Sequence, residues 1–290
     1  MLRRDFLGLV PAGLHGLLHP PSTSLLQAAA PSANSGYAPV NGLQLYYEIH
    51  GEGRPLVLLH GGVAASEVFG PNLPALAKTR KVIVMHLQGH GHTKDIDRPL
   101  RLESLADDVS GLIGYLKLGK ADVLGYSLGG GVALQTAIRH AAVVDHLVVV
   151  SEVMQKSGWY PEVNAAFDQM AAMAPQIAPN IKASSMGQMY PEVNWETLFR
   201  KIAEMESQDY DWSAAVKQIM LPAMLVFADA DAVRPEHIVA FYEALGGGKH
   251  DAGLDGSLRA GARLGIIPGA THYNILSTTM VAEMAGAFLS

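Results

Sequence analysis

Short apolar runs bounded by turn-forming residues recur along the chain, at 56–59, 82–85, 121–124, 146–150, 223–227 and 263–267. They are continuous rather than alternating, the pattern of strands buried on both faces. Between them lie stretches that suit helices, at 102–116, 128–140 and 235–245, the last with Pro235 at a first helical position. Strand and helix in alternation predict an α/β fold, a mostly parallel central sheet flanked by helices. Ahead of these runs, residues 37–40 and 43–49 are β-prone and separated by Asn41-Gly42. That dipeptide supplies the positive φ of a tight turn, so an antiparallel hairpin should open the sheet.

The alternation breaks once. From Ser151 to Leu221 the chain reads as helices and loops, which predicts a helical cap inserted after the sixth strand. The expected division is residues 1–33 ahead of the sheet, a first core part at 34–151, the cap at 152–220 and a second core part at 221–290. The insertion holds all three tryptophans (Trp159, Trp195 and Trp212) and seven of the twelve methionines, a composition suited to adaptable apolar contact. Most of these should fill the seam between cap and sheet, with Met154, Trp159, Met173 and Met189 as candidates to line a pocket. The segment Tyr-Pro-Glu-Val-Asn occurs at 160–164 and again at 190–194, each suiting a helix start with Pro early and Glu near the positive end of the helix dipole. Residues 246–256 are rich in Gly and Asp and read as a surface loop.

Composition narrows the chemistry. The 290 residues are 49% hydrophobic and 17% charged, as in a globular enzyme. A formal charge of −6 offers no positive field to gather phosphates, so nucleic acid is not expected as a partner. The chain has no cysteine, which excludes disulfide scaffolds, thiol nucleophiles and sulfur-ligated metals. No apolar run reaches the ~20 residues that span a bilayer, so stable membrane insertion is not expected.

One pentapeptide carries the chemistry: Gly125-Tyr126-Ser127-Leu128-Gly129, placed after the apolar run 121–124 and before the helical stretch 128–140. A serine in G-x-S-x-G occupies a cramped strand-to-helix turn, and small residues two before and two after relieve the crowding while the hydroxyl projects above the sheet. A serine hydroxyl is a poor nucleophile near neutral pH and needs a base, which in turn needs an orienting acid. His272 follows the last predicted strand, and Asp231 follows the strand ending at Phe227, in the chain order Ser, Asp, His.

These residues resemble the α/β-hydrolase superfamily, in its capped, serine-nucleophile branch of small esterases, lactonases and cofactor-free haloperoxidase-like enzymes. The resemblance covers about residues 37–290. It implies Ser127, Asp231 and His272 as the catalytic set. In that family the acid is usually the second aspartate of a segment like Ala228-Asp229-Ala230-Asp231, so the resemblance favours Asp231 over Asp229, which is better suited to cap or brace the turn. It also implies an oxyanion hole from the backbone N–H groups of Gly62 and Leu128, with Val63 the alternative to Gly62, in a loop braced by His60. Phe69, following that loop, joins the pocket candidates. His86, His90 and His92 have a spacing that could suit zinc, but Gln88-Gly89-His90-Gly91 resembles the family's loop after the fourth strand, where these residues are structural and no metal is used. The family commonly has aspartate where His86 stands.

The resemblance implies hydrolysis of carboxylic esters or lactones of small apolar molecules through an acyl-enzyme, with no cofactor. Cofactor-free perhydrolysis, carbon–carbon bond hydrolysis and a non-catalytic ligand-binding role remain alternatives. Serine at the nucleophile position argues against the branches that attack through a carboxylate.

The N-terminus carries a second resemblance. Residues 1–8 read Met-Leu-Arg-Arg-Asp-Phe-Leu-Gly, before a mildly apolar Gly/Leu-rich stretch and a Pro/Ser/Ala segment. Charge, apolar stretch and small residues follow the order of an export signal. The Arg3-Arg4 pair with Phe6 and Leu7 resembles a twin-arginine signal. It implies cleavage near Ala30 or Ala33 and a periplasmic or secreted protein.

Overall fold

The computed structural model describes residues 34–290, so the export-signal reading of 1–33 lies outside the described residues. Eight strands form one sheet: β1 (Ser35–Val40), β2 (Leu43–His50), β3 (Arg54–Leu59), β4 (Arg80–Met85), β5 (Ala121–Tyr126), β6 (Val144–Val150), β7 (Ala223–Ala230) and β8 (Arg263–Thr271). Their spatial order is β1-β2-β4-β3-β5-β6-β7-β8. β1 and β2 pair antiparallel, as do β2 and β4, and every later pairing is parallel. In the opening hairpin Val40 pairs with Leu43 across Asn41 and Gly42, whose φ values of 49° and 85° are those of the expected two-residue turn.

The continuous apolar runs have a direct explanation in the packing. Side chains of one strand point alternately to the two faces, and both faces are covered. Val57, Leu59, Ile83, Met85, Val123, Val149, Leu225 and Phe227 belong to one core. Leu56, Leu58, Val82, Val84, Leu124, Val148, Val150 and Val226 belong to another. The first is covered by α2 (Leu102–Tyr115), α3 (Leu128–Arg139) and α8 (Pro235–Ala244), and the second by α1 (Asn72–Leu76) and α9 (Met280–Leu289). Sequence periodicity located α2, α3 and α8 but not α1 or α9.

The segment between β6 and β7 folds as α4 (Pro161–Ala183), α5 (Ser185–Met189), α6 (Trp195–Glu206) and α7 (Ser213–Val216). The two copies of Tyr-Pro-Glu-Val-Asn behave differently. The first starts α4 with Pro161 at its head. In the second, Pro191 lies in a turn and the helix begins only after Asn194, whose side chain caps the Thr197 N–H at 3.1 Å. A favourable cap four residues on outcompetes a helix start at proline. α4 also carries Pro175 and Pro179 in its interior. Proline cannot donate to the carbonyl four residues back, and the Ala171 carbonyl so released accepts from Arg200 at 3.4 Å.

At the far end of the sheet from the serine turn, Arg80 at the start of β4 donates to the Asp122 carboxylate and to the Leu289 carbonyl, and His146 meets Asp122 at 2.7 Å. The buried charges are thus paired, and the last helix is tied to the sheet. No helix of the described residues is long and apolar enough to cross a membrane.

Two glycines of α2 meet opposite surroundings. A Cβ at Gly111 would lie 2.4 Å from Val40 Cγ1, whereas one at Gly114 would meet nothing within 4 Å. Urea unfolding should therefore show Gly111→Ala losing about 1–3 kcal/mol through overpacking and Gly114→Ala gaining about 0.5–1 kcal/mol from helix propensity. Equal effects would contradict this packing of α2 on β1.

Candidate active site

β3, β5, β7 and β8 run parallel, so the loops leaving their C-terminal ends converge on one edge of the sheet. Ser127 leaves β5 and leads directly into α3 with φ 52° and ψ −127°, a strained conformation for a residue with a side chain. The turn is held in place by its surroundings. Ser127 N–H donates to the Val150 carbonyl at 2.9 Å, and the Ser127 carbonyl accepts from Gly130 N–H at 2.6 Å and Gly131 N–H at 3.1 Å. A Cβ at Gly125 would sit 1.9 Å from the Gly129 carbonyl oxygen, and one at Gly129 would sit 2.1 Å from that of Leu59. Both glycines are therefore steric requirements of the turn.

His272 follows β8, and its carbonyl accepts from the Tyr126 hydroxyl at 2.7 Å. The ring lies between two partners: Nε2 is 3.1 Å from Ser127 Oγ, and Nδ1 is 3.1 Å from Asp231 Oδ1. Asp231, just past β7, accepts further hydrogen bonds from the Ala232 N–H at 2.8 Å, the Ala228 N–H at 2.9 Å and the Ser151 hydroxyl at 2.6 Å. Burial opposes charge on this carboxylate, but the bonds from His272, Ser151 and Ala228 outweigh it and hold its pKa below the usual value. An ionised Asp231 fixes the proton on Nδ1 and leaves Nε2 to accept from the serine. Asp229 is exposed, and its carboxylate instead accepts from the Gly269 N–H at 3.0 Å, bracing the turn within β8.

The loop after β3 passes beside this serine. His60 is fully buried, with Nδ1 2.8 Å from the Gly61 carbonyl and Nε2 accepting from the Leu87 N–H at 3.1 Å. Burial, with the neighbouring His90 and His86, drives its pKa well below the usual value, so it is a neutral brace. Among the described residues, the N–H groups of Gly62, Val63 and Leu128 have no hydrogen-bond acceptor, and all three residues line the cavity in front of Ser127. Val63 has φ 56°, an unusual conformation for a β-branched residue.

His86 stands where aspartate is common, yet the loop is braced. Its Nδ1 accepts from the His92 N–H at 3.0 Å, its Nε2 lies 2.7 Å from Ser66 Oγ, and its carbonyl accepts from Thr93 Oγ1 at 2.7 Å. Burial lowers its pKa to about 3 and that of His90 to about 4. His90 Nδ1 lies 2.9 Å from the Gln88 carbonyl.

A cavity of about 120 Å³ opens in front of Ser127 and His272. One wall is the face of α4 that carries Val163, Ala166, Phe167 and Met170, spaced i, i+3, i+4, i+7. Of the five pocket candidates, Trp159 lines this cavity and the other four do not. Phe69 packs against the opposite face of the sheet with Leu73 and Leu76. Met154 is buried just past β6, its N–H donating to His237 Nε2 at 3.1 Å. Met173, one turn beyond Met170, and Met189 are partly buried and pack against the core.

Sequence reading passed over two acidic residues in the wall, Glu152 just after β6 and Glu206 at the end of α6. Their only signal was position, since residue 152 follows a strand whose C-terminal end faces the site. Burial, and then the Glu206 charge, pushes Glu152 well above the ordinary carboxylate pKa. Burial raises Glu206 to about 7, partly opposed by Lys156.

A family model described as "Alpha/beta hydrolase family" matches residues 56–287. A 2-hydroxymuconate semialdehyde hydrolase of Pseudomonas sp. (strain CF600) is 36% identical over 104 residues, 34% of this chain and 37% of that protein. The human serine hydrolase BPHL is 34% identical over 149 residues, 49% of this chain and 51% of that one. The matched stretches thus span about half or less of these relatives' lengths. Among solved structures, the enol-lactonase from Burkholderia xenovorans LB400 aligns with a TM-score of 0.66 at 24% identity, over 87% of this chain and 99% of that one. A thermophilic esterase from Thermogutta terrifontis aligns with a TM-score of 0.70 at 20% identity, over 89% and 98%. These structural likenesses establish the fold.

The raised Glu206 pKa has a consequence for stability. A carboxyl whose folded pKa exceeds its unfolded one favours the fold while protonated, and that contribution is lost as pH rises through the folded value, here about 7. The melting temperature of Glu206→Gln relative to wild type should therefore climb between pH 5 and pH 8. A difference independent of pH would contradict the shift.

Proposed function

The chain belongs to the alpha/beta hydrolase family, and from that membership we propose that it is a serine hydrolase of small, largely apolar carboxylic esters or lactones. The observation that carries this reading is the continuous relay from Ser127 Oγ through His272 to Asp231, with 3.1 Å at each step. His272 Nε2 takes the proton as Ser127 attacks the carbonyl carbon, and Asp231 stabilises the imidazolium that forms. Negative charge then grows on the carbonyl oxygen. The N–H groups of Leu128 and of Gly62, or its neighbour Val63, lack partners among the described residues and lie beside Ser127, which suits them to receive that charge. The alcohol leaves with the proton from His272, and water, activated by the same ring, releases the acyl group.

The small cavity with its wall of Val163, Phe167, Met170 and Trp159 supports substrates of modest size and apolar body. Relatives and structural neighbours described as serine hydrolase, enol-lactonase and esterase are consistent with acyl transfer from an oxygen leaving group. Export to the periplasm is proposed on the Arg3-Arg4 pair, the mildly apolar stretch after it and the Pro/Ser/Ala segment that follows.

Turnover of 4-nitrophenyl butyrate tests the roles. Ser127→Ala and His272→Ala should each lower kcat by at least ~10⁴-fold, and Asp231→Asn by ~10³–10⁴-fold. Asp229→Asn, which touches only the β8 turn, should keep most activity. The reverse ranking of the two aspartates would overturn the assignment of the acid. For localisation, replacing Arg3 and Arg4 together by lysine should hold the full-length protein in the cytoplasm. Unchanged fractionation would refute twin-arginine export.

A further inference from the structure

Every other buried carboxylate near the site has strong partners. Asp231 has His272, Ser151 and two N–H groups. Glu67 has the Tyr190 hydroxyl at 2.8 Å and the Ala65 N–H at 3.0 Å. Asp108 has Arg98 and Asn41. Glu152 and Glu206 differ. Glu152 is 4% exposed, and its carboxylate accepts one hydrogen bond, from the N–H of its neighbour Val153 at 2.8 Å. Its second oxygen accepts none among the described residues. Glu206 is half-buried, and its carboxylate accepts no hydrogen bond among them. The nearby cation, Lys156, is directed elsewhere, donating to the Ser207 carbonyl at 2.8 Å and lying 3.9 Å from Asp209.

Room has also been kept for this pair. A Cβ at Gly130, in the first turn of α3, would lie 2.8 Å from Glu152 Cβ, so the glycine there lets Glu152 stand beside the serine turn. Glu152 and Glu206 both line the same cavity as Ser127 and His272, among Trp159, Phe167 and Tyr273. A carboxylate oxygen that no donor meets in a largely apolar wall is costly, and two glutamates lining one cavity suit a positive charge from outside the chain. Aromatic walls favour an organic cation, whose alkyl part they cover and whose charge they attract.

We propose that Glu152 and Glu206 form a cation-recognition subsite, and that the preferred substrates are esters or lactones carrying an alkylammonium group on a short apolar chain. The subsite deepens the hydrolase reading and rests on it, because the cavity it lines is the one in front of Ser127. Binding draws off the proton that the pair retains, since burial raises both pKa values, with the Glu206 charge adding to the rise at Glu152 and Lys156 partly opposing it at Glu206. The groups facing the pair are Lys156, whose charge lowers Glu206, and Tyr210 and Asp231, which interact with Glu152.

Calorimetric titration with hexylammonium and with its neutral isostere 1-hexanol provides the test, since it reads the subsite without turnover. At pH 8 wild type should bind hexylammonium about 10-fold more tightly than hexanol. At pH 5, below the value of about 7 for Glu206, the preference should shrink. Glu152→Gln and Glu206→Gln should reduce it to within about twofold in at least one variant, with hexanol binding unchanged. Hexanol bound as well as hexylammonium by wild type, no binding of either, or a full preference surviving in both variants would overturn the proposal. The wild-type comparison stands even if a variant fails to fold. Turnover of 4-nitrophenyl butyrate by wild type reads the hydrolase assignment separately: activity with no ammonium preference sinks the subsite alone, and inactivity with selective ammonium binding sinks the hydrolase reading alone.

Discussion

The structure depends on one tight connection, the turn by which β5 becomes α3. Ser127 must adopt a positive φ there, and the turn closes only because Gly125 and Gly129 place no atom where backbone carbonyls already lie. That geometry sets the serine oxygen at the edge of the sheet and points the first N–H groups of α3 toward the same space. Strain of this kind persists where surrounding structure over-determines it. Here the surrounding structure is the parallel β3-β5-β6 core, which supplies the Val150 carbonyl to Ser127 and the Leu59 carbonyl against which Gly129 packs.

Around that turn, each remaining part of the site is a strand end. β3 delivers the His60–Val63 loop, β7 delivers Asp231, and β8 delivers His272. Neutral His60, tied to Gly61 and Leu87, fixes the loop from behind. The hydrogen bonds that fix Asp231 also select which His272 nitrogen holds the proton. The segment between β6 and β7 closes the top with the apolar face of α4 and the end of α6. It shapes a cavity lined largely by apolar side chains beside Ser127, His272, two tyrosines and two acids.

Much of this was legible in the chain. Runs such as 56–59 and 121–124 read as doubly buried strands because their alternate residues serve two cores, and Asn41-Gly42 read as a hairpin because few other dipeptides tolerate its dihedrals. That Ser127 and His272 would meet was legible because the turn, the chain order and the strand ends constrain residue type, whereas the choice of Asp231 over Asp229 came from the resemblance to the family. The pocket was not. Phe69 and Met154 are apolar residues close to the right loops, yet their side chains are claimed by cores, and one-dimensional proximity carries no information about which way a side chain points. Val163, Ala166, Phe167 and Met170 carried a helical stripe, but a stripe does not say whether it meets a cavity or a core. Glu152 and Glu206 are separated by more than fifty positions, and only folding brings them to one wall. His86 shows the converse: at a position where the family commonly has aspartate, the imidazole braces the loop through both ring nitrogens.

The central claim is that His272 activates Ser127. Intact-mass analysis after brief exposure to a fluorophosphonate, followed by peptide mapping, tests it most directly. Wild type should acquire one adduct per chain, on Ser127, and His272→Ala should stay unmodified over the same interval. An adduct on another residue, or equal labelling of Ser127 without His272, would contradict the account.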